Sequence, residues 1–389
     1  MLKLTPETSV IEFINKILTN AITKRSSDIH FEPYHEFCRI RFRIDGMLYE
    51  TLKTDLVLWQ QLCTRLKIMG NLNIAEKRHP QDGSFAITIG NLKRSCRIST
   101  CPTVFGEKLA VRILSHYHSI PTINQLGLAD QELSLFNEHL QSSHGIILVT
   151  GPTGSGKSTT LYSAINFLND STKNISTAED PVEINLAGVN QVEINHKIGL
   201  DFATVLRAFL RQDPDVIMIG EIRDLETAQI AIRAAHTGHL VFATLHTTSA
   251  ISSINRLLNM GIPAFNLASS LKLVIAQRLI RILCDHCKQQ IEVPNNFLKQ
   301  KLSLAKLNHH RIYTAVGCQH CQHGYWDRKP IFEMVPITPV LSSLIIDNFS
   351  SSELSETISK MGYHNLKENG LINVANGITS YEEYLRVMH

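Results

Sequence analysis

Apolar positions along the chain change their period twice, and each change marks a different kind of element. Ser9 and Glu12 have capping-box spacing, and Val10, Ile11, Phe13, Ile14, Ile17, Leu18, Ala21 and Ile22 then trace one helical face. From Cys38 to Ile44 the alternation is strict. Cys38, Ile40, Phe42 and Ile44 fall on one face of a strand, and Arg39, Arg41 and Arg43 on the other. Asp45-Gly46 predicts a tight hairpin, with Met47-Leu48-Tyr49 opening the return strand. A helix at 57–69 follows, then strands near 84–89, 95–99 and 109–114, with turns expected at Gly90-Asn91 and Pro102. These elements predict a small α+β domain over residues 1–120. Residues 121–127, between Pro121 and Gly127, read as a linker to a second domain over 128–389.

In that second region the apolar runs become continuous, as in strands buried on both faces. Ile146-Ile147-Leu148-Val149 precedes Gly151-Pro152-Thr153-Gly154-Ser155-Gly156-Lys157-Ser158, and Thr159 to Ile165 then carries helical spacing. Strand, glycine loop and helix in that order are the context the phosphate-loop pattern requires. The glycines aim backbone N–H groups inward, and the helix N-terminus adds partial positive charge. Lys157 suits the β- and γ-phosphates and the Ser158 hydroxyl suits Mg²⁺. The alternative is a glycine-rich turn that binds nothing. Further on, the run 175–183 places Glu179, Asp180 and Glu183 at the end of a β-prone stretch. Val216-Ile217-Met218-Ile219 ends at Gly220-Glu221, Asp224 is placed to cap the next helix, and the strand 240–245 ends at His246. A carboxylate at such a strand end faces Mg²⁺ or the attacking water. A histidine there is commonly just a polar terminus, but beside acidic strand ends it is suited to sense the γ-phosphate.

Composition narrows the class further. The 389 residues are 43% hydrophobic and 19% charged, with a formal net charge of +3, so large cores are affordable and a nucleic-acid partner is not implied. No apolar run approaches the roughly 20 residues that span a bilayer. Met1-Leu2-Lys3-Leu4-Thr5-Pro6 has no signal-peptide core, so a soluble protein of a reducing compartment is expected. Cys284-x-x-Cys287 and Cys318-x-x-Cys321 are two knuckle pairs of a four-thiolate zinc site, structural because no coordination position stays open. Two disulfides are the competing reading, disfavoured by a reducing cytosol. His286, His320 and His323 flank the knuckles, while Cys38, Cys63, Cys96 and Cys101 lack ligand spacing.

Taken together, these blocks resemble the secretion ATPases that drive type II secretion and type IV pilus assembly, the GspE/PilB family. Residues 151–158 match its Walker A motif, 177–183 its aspartate box, 210–224 its Walker B region and 237–247 its histidine box. Ser27-Asp28-Ile29-His30, Arg41-Phe42-Arg43-Ile44-Asp45-Gly46, Ile74-Ala75-Glu76-Lys77-Arg78 and Gly106-Glu107-Lys108 match signatures of its first domain. The likeness runs from about residue 9 to 340. Two departures stand out: the chain begins almost at the arginine-bearing domain, without the family's further N-terminal docking domain, and Thr248 replaces an Asn.

The resemblance implies a RecA-like α/β P-loop NTPase core, an N-terminal α+β domain and a tetracysteine zinc insert at about 284–324. It implies a hexameric motor ATPase using ATP, Mg²⁺ and Zn²⁺, cytoplasmic and peripheral at the inner membrane. The motor would power pilin or pseudopilin assembly through an inner-membrane platform protein, with no nucleic acid involved. Gly151, Pro152, Thr153, Gly154, Ser155, Gly156, Lys157, Ser158 and Thr159 would bind nucleotide, and Ser158 the magnesium. Glu221 and Glu179 would share water positioning and metal support, in an order the sequence leaves open, with His246 beside them and Asp180 holding the loop. Arg207, Arg211 and Arg223 would surround the site, while Arg41 and Arg43 would reach the γ-phosphate from the first domain. Arg207 and Arg211, four apart, also fit a surface salt-bridge pair, and the arginine row also fits a solvated face. A retraction or DNA-uptake motor has the same chemistry, although retraction ATPases usually lack the tetracysteine insert. A nucleotide switch without turnover, or a helicase, shares only the P-loop core.

Overall fold

The computed structural model describes residues 9–89, 92–114, 120–292, 312–347 and 350–388. The chain divides into two units, Met1–Ser119 and Ile120–His389. The first contains α1 (Val10–Thr23), β1 (Asp28–Pro33), β2 (Cys38–Ile44), β3 (Met47–Thr54), α2 (Leu56–Met69), β4 (Gln81–Ile89), β5 (Leu92–Thr103) and β6 (Gly106–Ile113). The strands form an antiparallel sheet in the order β3-β2-β1-β6-β5-β4.

Burial along β2 alternates as its sequence does, with Cys38, Ile40 and Phe42 fully covered. They meet Phe13, Ile14, Ile17 and Leu18 of α1 and Trp59, Leu62 and Leu66 of α2 in one core. The predicted start of α1 holds, with Ser9 Oγ accepting from the Glu12 N–H at 3.3 Å. Helix α2 begins at Leu56, one residue before the expected 57, capped by Asp55 through the Leu58 N–H at 2.7 Å. Asp45 and Gly46 have φ of 48° and 83°, the left-handed pair that a two-residue hairpin needs. One turn is displaced. Pro102 lies inside β5, paired with Glu107, and the reversal falls at Val104-Phe105. Proline fits there because it is near the strand's end, where a missing N–H costs little. The turn expected at Gly90-Asn91 lies outside the described residues.

The second unit contains α3 (Asp130–Leu140), β7 (Gly145–Thr150), α4 (Lys157–Leu168), β8 (Ile175–Glu179), β9 (Asn190–Glu193), α5 (Phe202–Phe209), β10 (Val216–Ile219), α6 (Leu225–His236) and β11 (Leu240–Leu245). It continues with α7 (Ala250–Asn259), α8 (Ala264–Ser270), β12 (Leu271–Leu283), β13 (Gln289–Ile291), β14 (Ile312–Thr314) and β15 (Tyr325–Pro336). Helices α9 (Pro339–Ile346), α10 (Ser351–Lys360), α11 (Leu366–Ala375) and α12 (Tyr381–Met388) complete it. Its main sheet runs β15-β12-β7-β11-β10-β8-β9, parallel except for β15 at one edge.

Both faces of this sheet are covered, which explains the unbroken apolar runs. In β7, Ile146 and Leu148 enter one core with α5, α6 and α7, while Ile147 and Val149 enter the other with α3 and α4. The stretch expected to be a linker contributes to the second core. A 3-10 turn at Ile123–Gln125 buries Ile123, and Leu126 follows it inward. Strands β7, β10 and β11 end side by side at their carboxyl edge, where open α/β sheets bind ligands.

Candidate active site

The loop after β7 is built so that backbone can approach a ligand closely. Gly151 has φ 149°, and a Cβ there would stand 2.4 Å from the backbone oxygen of Gln277. Gly156, with φ 90°, is the first cap of α4, and a Cβ there would stand 2.8 Å from Gln277 Nε2. Lys157 is buried, and its Nζ donates to the carbonyls of Gly151 at 2.8 Å and Pro152 at 3.1 Å. Burial lowers its pKa, opposed by the negative charge of Glu221. Among the described residues, Ser155 Oγ is buried without a hydrogen-bond partner. An orphaned hydroxyl, a glycine cradle with no room for Cβ and a buried cation at a helix N-terminus fit a polyphosphate. Ser158 is exposed at the start of α4.

The other strand ends supply the polar wall. Glu221 follows β10 and His246 follows β11, and His246 Nε2 lies 3.2 Å from a Glu221 carboxylate oxygen. Arg223 pairs with Glu221 on one side and reaches Asp180 at 3.4 Å on the other. Glu179 is placed differently. It is buried and accepts from Tyr162 Oη, from Thr177 Oγ1 at 2.6 Å and from Gln191 Nε2 at 3.0 Å. A carboxylate with that many donors is already occupied with holding β8 against α4.

Sequence reasoning missed several contributors because their contacts are remote along the chain. Gln277 of β12 accepts from Thr160 Oγ1 at 2.8 Å and braces the phosphate loop from beneath. Thr150, the last residue before the loop, shares a hydroxyl hydrogen bond with Thr247, whose hydroxyl also meets Ser253 Oγ of α7 at 2.6 Å. Only the strand-end positions of Thr150 and Thr247 could have suggested them.

The expected arginines divide into two groups within this unit. Arg223 joins the Glu221 cluster. Arg207 pairs instead with Glu226 in the first turn of α6, and Arg211 Nη1 donates to the Arg207 carbonyl at 2.7 Å. Helix α5 ends at Phe209, so Arg211 lies in the terminal turn rather than on a shared face. Both partners of the Arg207–Glu226 pair are exposed, which limits its worth to about 1 kcal/mol or less.

In the first unit, Arg41 grips Glu32 through two parallel hydrogen bonds of 2.9 and 2.8 Å. Arg39 at 3.2 Å and Lys108 at 3.3 Å converge on the same carboxylate. Arg43 donates to the Gly46 carbonyl at 2.8 Å and lies 3.7 Å from Asp28, which Arg112 also contacts at 2.8 Å. Five cations thus stand over two carboxylates on the polar face of the sheet, and the surplus is positive.

Cys284, Cys287, Cys318 and Cys321 come together with all four Sγ atoms within 4.8 Å of one another. The 284–318, 287–321 and 318–321 separations are 3.9, 3.7 and 3.7 Å. Four sulfurs placed tetrahedrally at about 2.3 Å from zinc would be about 3.8 Å apart, so the set fits that ion. Disulfide bonding needs sulfurs at about 2.05 Å and is excluded. Backbone N–H groups of Gly317 and Cys318 donate to Cys287 Sγ at 3.3 Å and Cys321 Sγ at 3.2 Å, which favours thiolate charge. His286 and His320 pack ring against ring at 4.8 Å, outside the sulfur set. Residues 293–311 of the expected insert lie outside the described residues.

The model of the type II/IV secretion system protein family matches residues 3–386. The chain belongs to this family. The type IV pilus assembly ATPase PilB of Pseudomonas aeruginosa is 50% identical over 380 residues, covering 97% of this chain and 67% of that protein. The type II secretion system protein E of the same organism is 44% identical over 379 residues, covering 97% of this chain and 75% of that one. Among solved structures, the pilus retraction motor PilT with bound ADP is 29% identical, with a TM-score of 0.62 over 96% of each chain. The Legionella pneumophila ATPase DotB is 20% identical with a TM-score of 0.71 over 99% of this chain and 97% of that one, a likeness of fold. This family member is a P-loop ATPase of the secretion and pilus-assembly class, nearer in sequence to assembly ATPases than to the retraction motor. Among its described residues, no helix is long and apolar enough to cross a membrane.

Proposed function

We propose that this ATPase works as a ring, a hexamer on the family's pattern, in which Glu221 orients the attacking water. One observation carries the assignment: Glu221 is held between His246 and Arg223 at the strand edge and lends its charge to Lys157. Glu179, occupied by Tyr162, Thr177 and Gln191, holds the neighbouring strand end in place. The phosphate loop, Gly151 to Thr159, cradles the phosphates of the substrate ATP. Lys157 neutralises the β- and γ-phosphate charge, and Ser158 holds the magnesium that accompanies ATP. His246 relays the state of the γ-phosphate to the strand that follows it.

The positive face of the first unit supplies the remaining charge. Arg41 and Arg43 exchange their carboxylate and carbonyl partners for the γ-phosphate when that unit closes over bound ATP. Guanidinium suits this exchange because its two parallel N–H groups match carboxylate and phosphate alike. Release of phosphate then frees the unit, and sequential closures around a ring drive a partner at the membrane. That partner is an inner-membrane platform protein, and the load is pilin or pseudopilin. The protein is held at the membrane through this partner. The four cysteines bind one structural zinc ion, whose chemistry is to fold the insert rather than to react.

The test is the double substitution Arg41→Ala, Arg43→Ala in the full chain. ATP binding is retained while turnover falls by at least about tenfold, the scale below which an arginine contribution is not convincing. Wild-type turnover per protomer rises with protein concentration as rings assemble. Unchanged turnover in the double variant, at a concentration where wild type is assembled, contradicts closure.

A further inference from the structure

Glu333 of β15 is a carboxylate with no evident business in a hydrophobic sheet. It is buried, and among the described residues it has no ion-pair partner. Both oxygens are nevertheless used. One accepts from the Ala250 N–H at 2.9 Å and the other from the Leu366 N–H at 3.3 Å. These amides open α7 and α11, at positions that helix caps do not serve: Ser249 caps Ser252, and Asn365 caps Glu368. A single carboxylate therefore lies beneath the positive ends of two helices, which compensates part of its desolvation.

Its place in the sheet joins it to the nucleotide site. Glu333 pairs with Ala276, Ala276 with Thr150, and Thr150 with Leu245, so one row crosses four strands at the edge where the phosphate loop begins. His246 follows Leu245, and α7 begins at Ala250. The first turn of α7 is thus tied to the sheet twice, through Ser253–Thr247–Thr150 and through Ala250–Glu333. Helix α11 is tied to β15 by the same carboxylate and by Asn369 Nδ2 to the Phe332 carbonyl at 2.7 Å.

We propose that Glu333 is a positioning residue: it fixes the segment carrying His246 against Glu221 and couples that pair to the C-terminal helix α11. The inference rests on the nucleotide-site reading above. Movement of the strand end after β11 is transmitted through α7 to one buried carboxylate, and from it to an amide of α11. The site and the C-terminal helices then respond to nucleotide together.

Two experiments test this on the full-length protein. The isosteric Glu333→Gln replaces one accepting oxygen by an N–H group that faces a backbone donor. It lowers kcat by about tenfold with KM changed less than about threefold, the signature of a lost transition-state interaction. In a His246→Ala background the same change costs less than about twofold more, because both act through one pair. Full additivity, or a kcat equal to wild type, overturns the positioning role. Hydrogen exchange on the unsubstituted protein needs no variant to fold. With Mg²⁺ and a non-hydrolysable ATP analogue, amides of the phosphate loop, of Ala250 and of Leu366 slow together. Protection of the loop and Ala250 with Leu366 unchanged refutes the coupling alone. No protection of the loop contradicts the nucleotide site, and this inference falls with it.

Discussion

His246 Nε2 and a Glu221 carboxylate oxygen lie 3.2 Å apart, joining the ends of two adjacent parallel strands into one polar pair. The register brings them together: Ile219 lies opposite Ala243, so Glu221, two residues on, comes level with the end of β11 at Leu245, next to His246. Replacing the imidazole leaves the phosphate cradle intact. His246→Ala is therefore expected to lower kcat by about tenfold while KM for ATP changes less than about threefold, as steady-state kinetics would show. A rise in KM at constant kcat would assign His246 to ground-state binding instead.

Lys67 and Glu107 form a buried ion pair at 2.7 Å in the first unit, and Lys67 also donates to the Glu76 carbonyl at 2.6 Å. Lys67→Met leaves the carboxylate buried and unpaired, with an expected loss of about 3–5 kcal/mol. Adding Glu107→Leu is expected to restore most of that loss. Trp59 reports this unit in urea titrations, once Trp326, the second of the chain's two tryptophans, is replaced by Phe. Equal stability of the single variant and wild type would refute the burial argument.

The parts of the molecule that were legible in the sequence are those set by local pattern. The alternation of 38–44, the caps at Ser9 and Asp224, the apolar runs and the glycine loop each became the element they predict. The cysteine spacing also sufficed, because paired knuckles bring their own sulfurs together. What the pattern could not convey is partner choice. Arg207 meets Glu226, Glu179 meets Tyr162, and Gln277 meets Thr160 from 117 residues away. Nothing in the local sequence distinguishes those side chains from solvated ones. Burial of the 121–127 segment was hidden for a related reason: Pro121 and Gly127 bound residues of which Ile123 and Leu126 find a core only in three dimensions.

Glu32 gives the first unit an acid-sensitive stability. Burial opposes its ionisation, yet hydrogen bonds from Arg41 and Lys108 outweigh burial and hold its pKa at about 2, below the ordinary 4.5. A carboxyl whose folded pKa is depressed contributes stability above the unfolded value, lost as pH falls through the folded one. The Trp59 unfolding midpoint should therefore fall between pH 4.5 and about 2. Glu32→Gln should flatten part of that fall, and an identical pH profile would refute the linkage.

Elemental analysis of freshly purified protein should find one zinc per chain, lost on Cys284→Ser or Cys318→Ser. Zinc binding energy at such a site is folding energy, so its removal loosens the insert around 284–324. Nucleotide affinity is expected to be retained. Metal-free protein with the insert still protected from proteolysis would contradict a structural zinc.

The most direct test of Glu221 as the water-orienting carboxylate is ATP turnover in Glu221→Gln, measured beside ATP binding. The substitution keeps shape and removes charge, leaving Lys157 and the loop in place. The account predicts ATP bound about as tightly as by wild type and turnover reduced by about a hundredfold or more. Turnover near wild type, with ATP still bound, would contradict it.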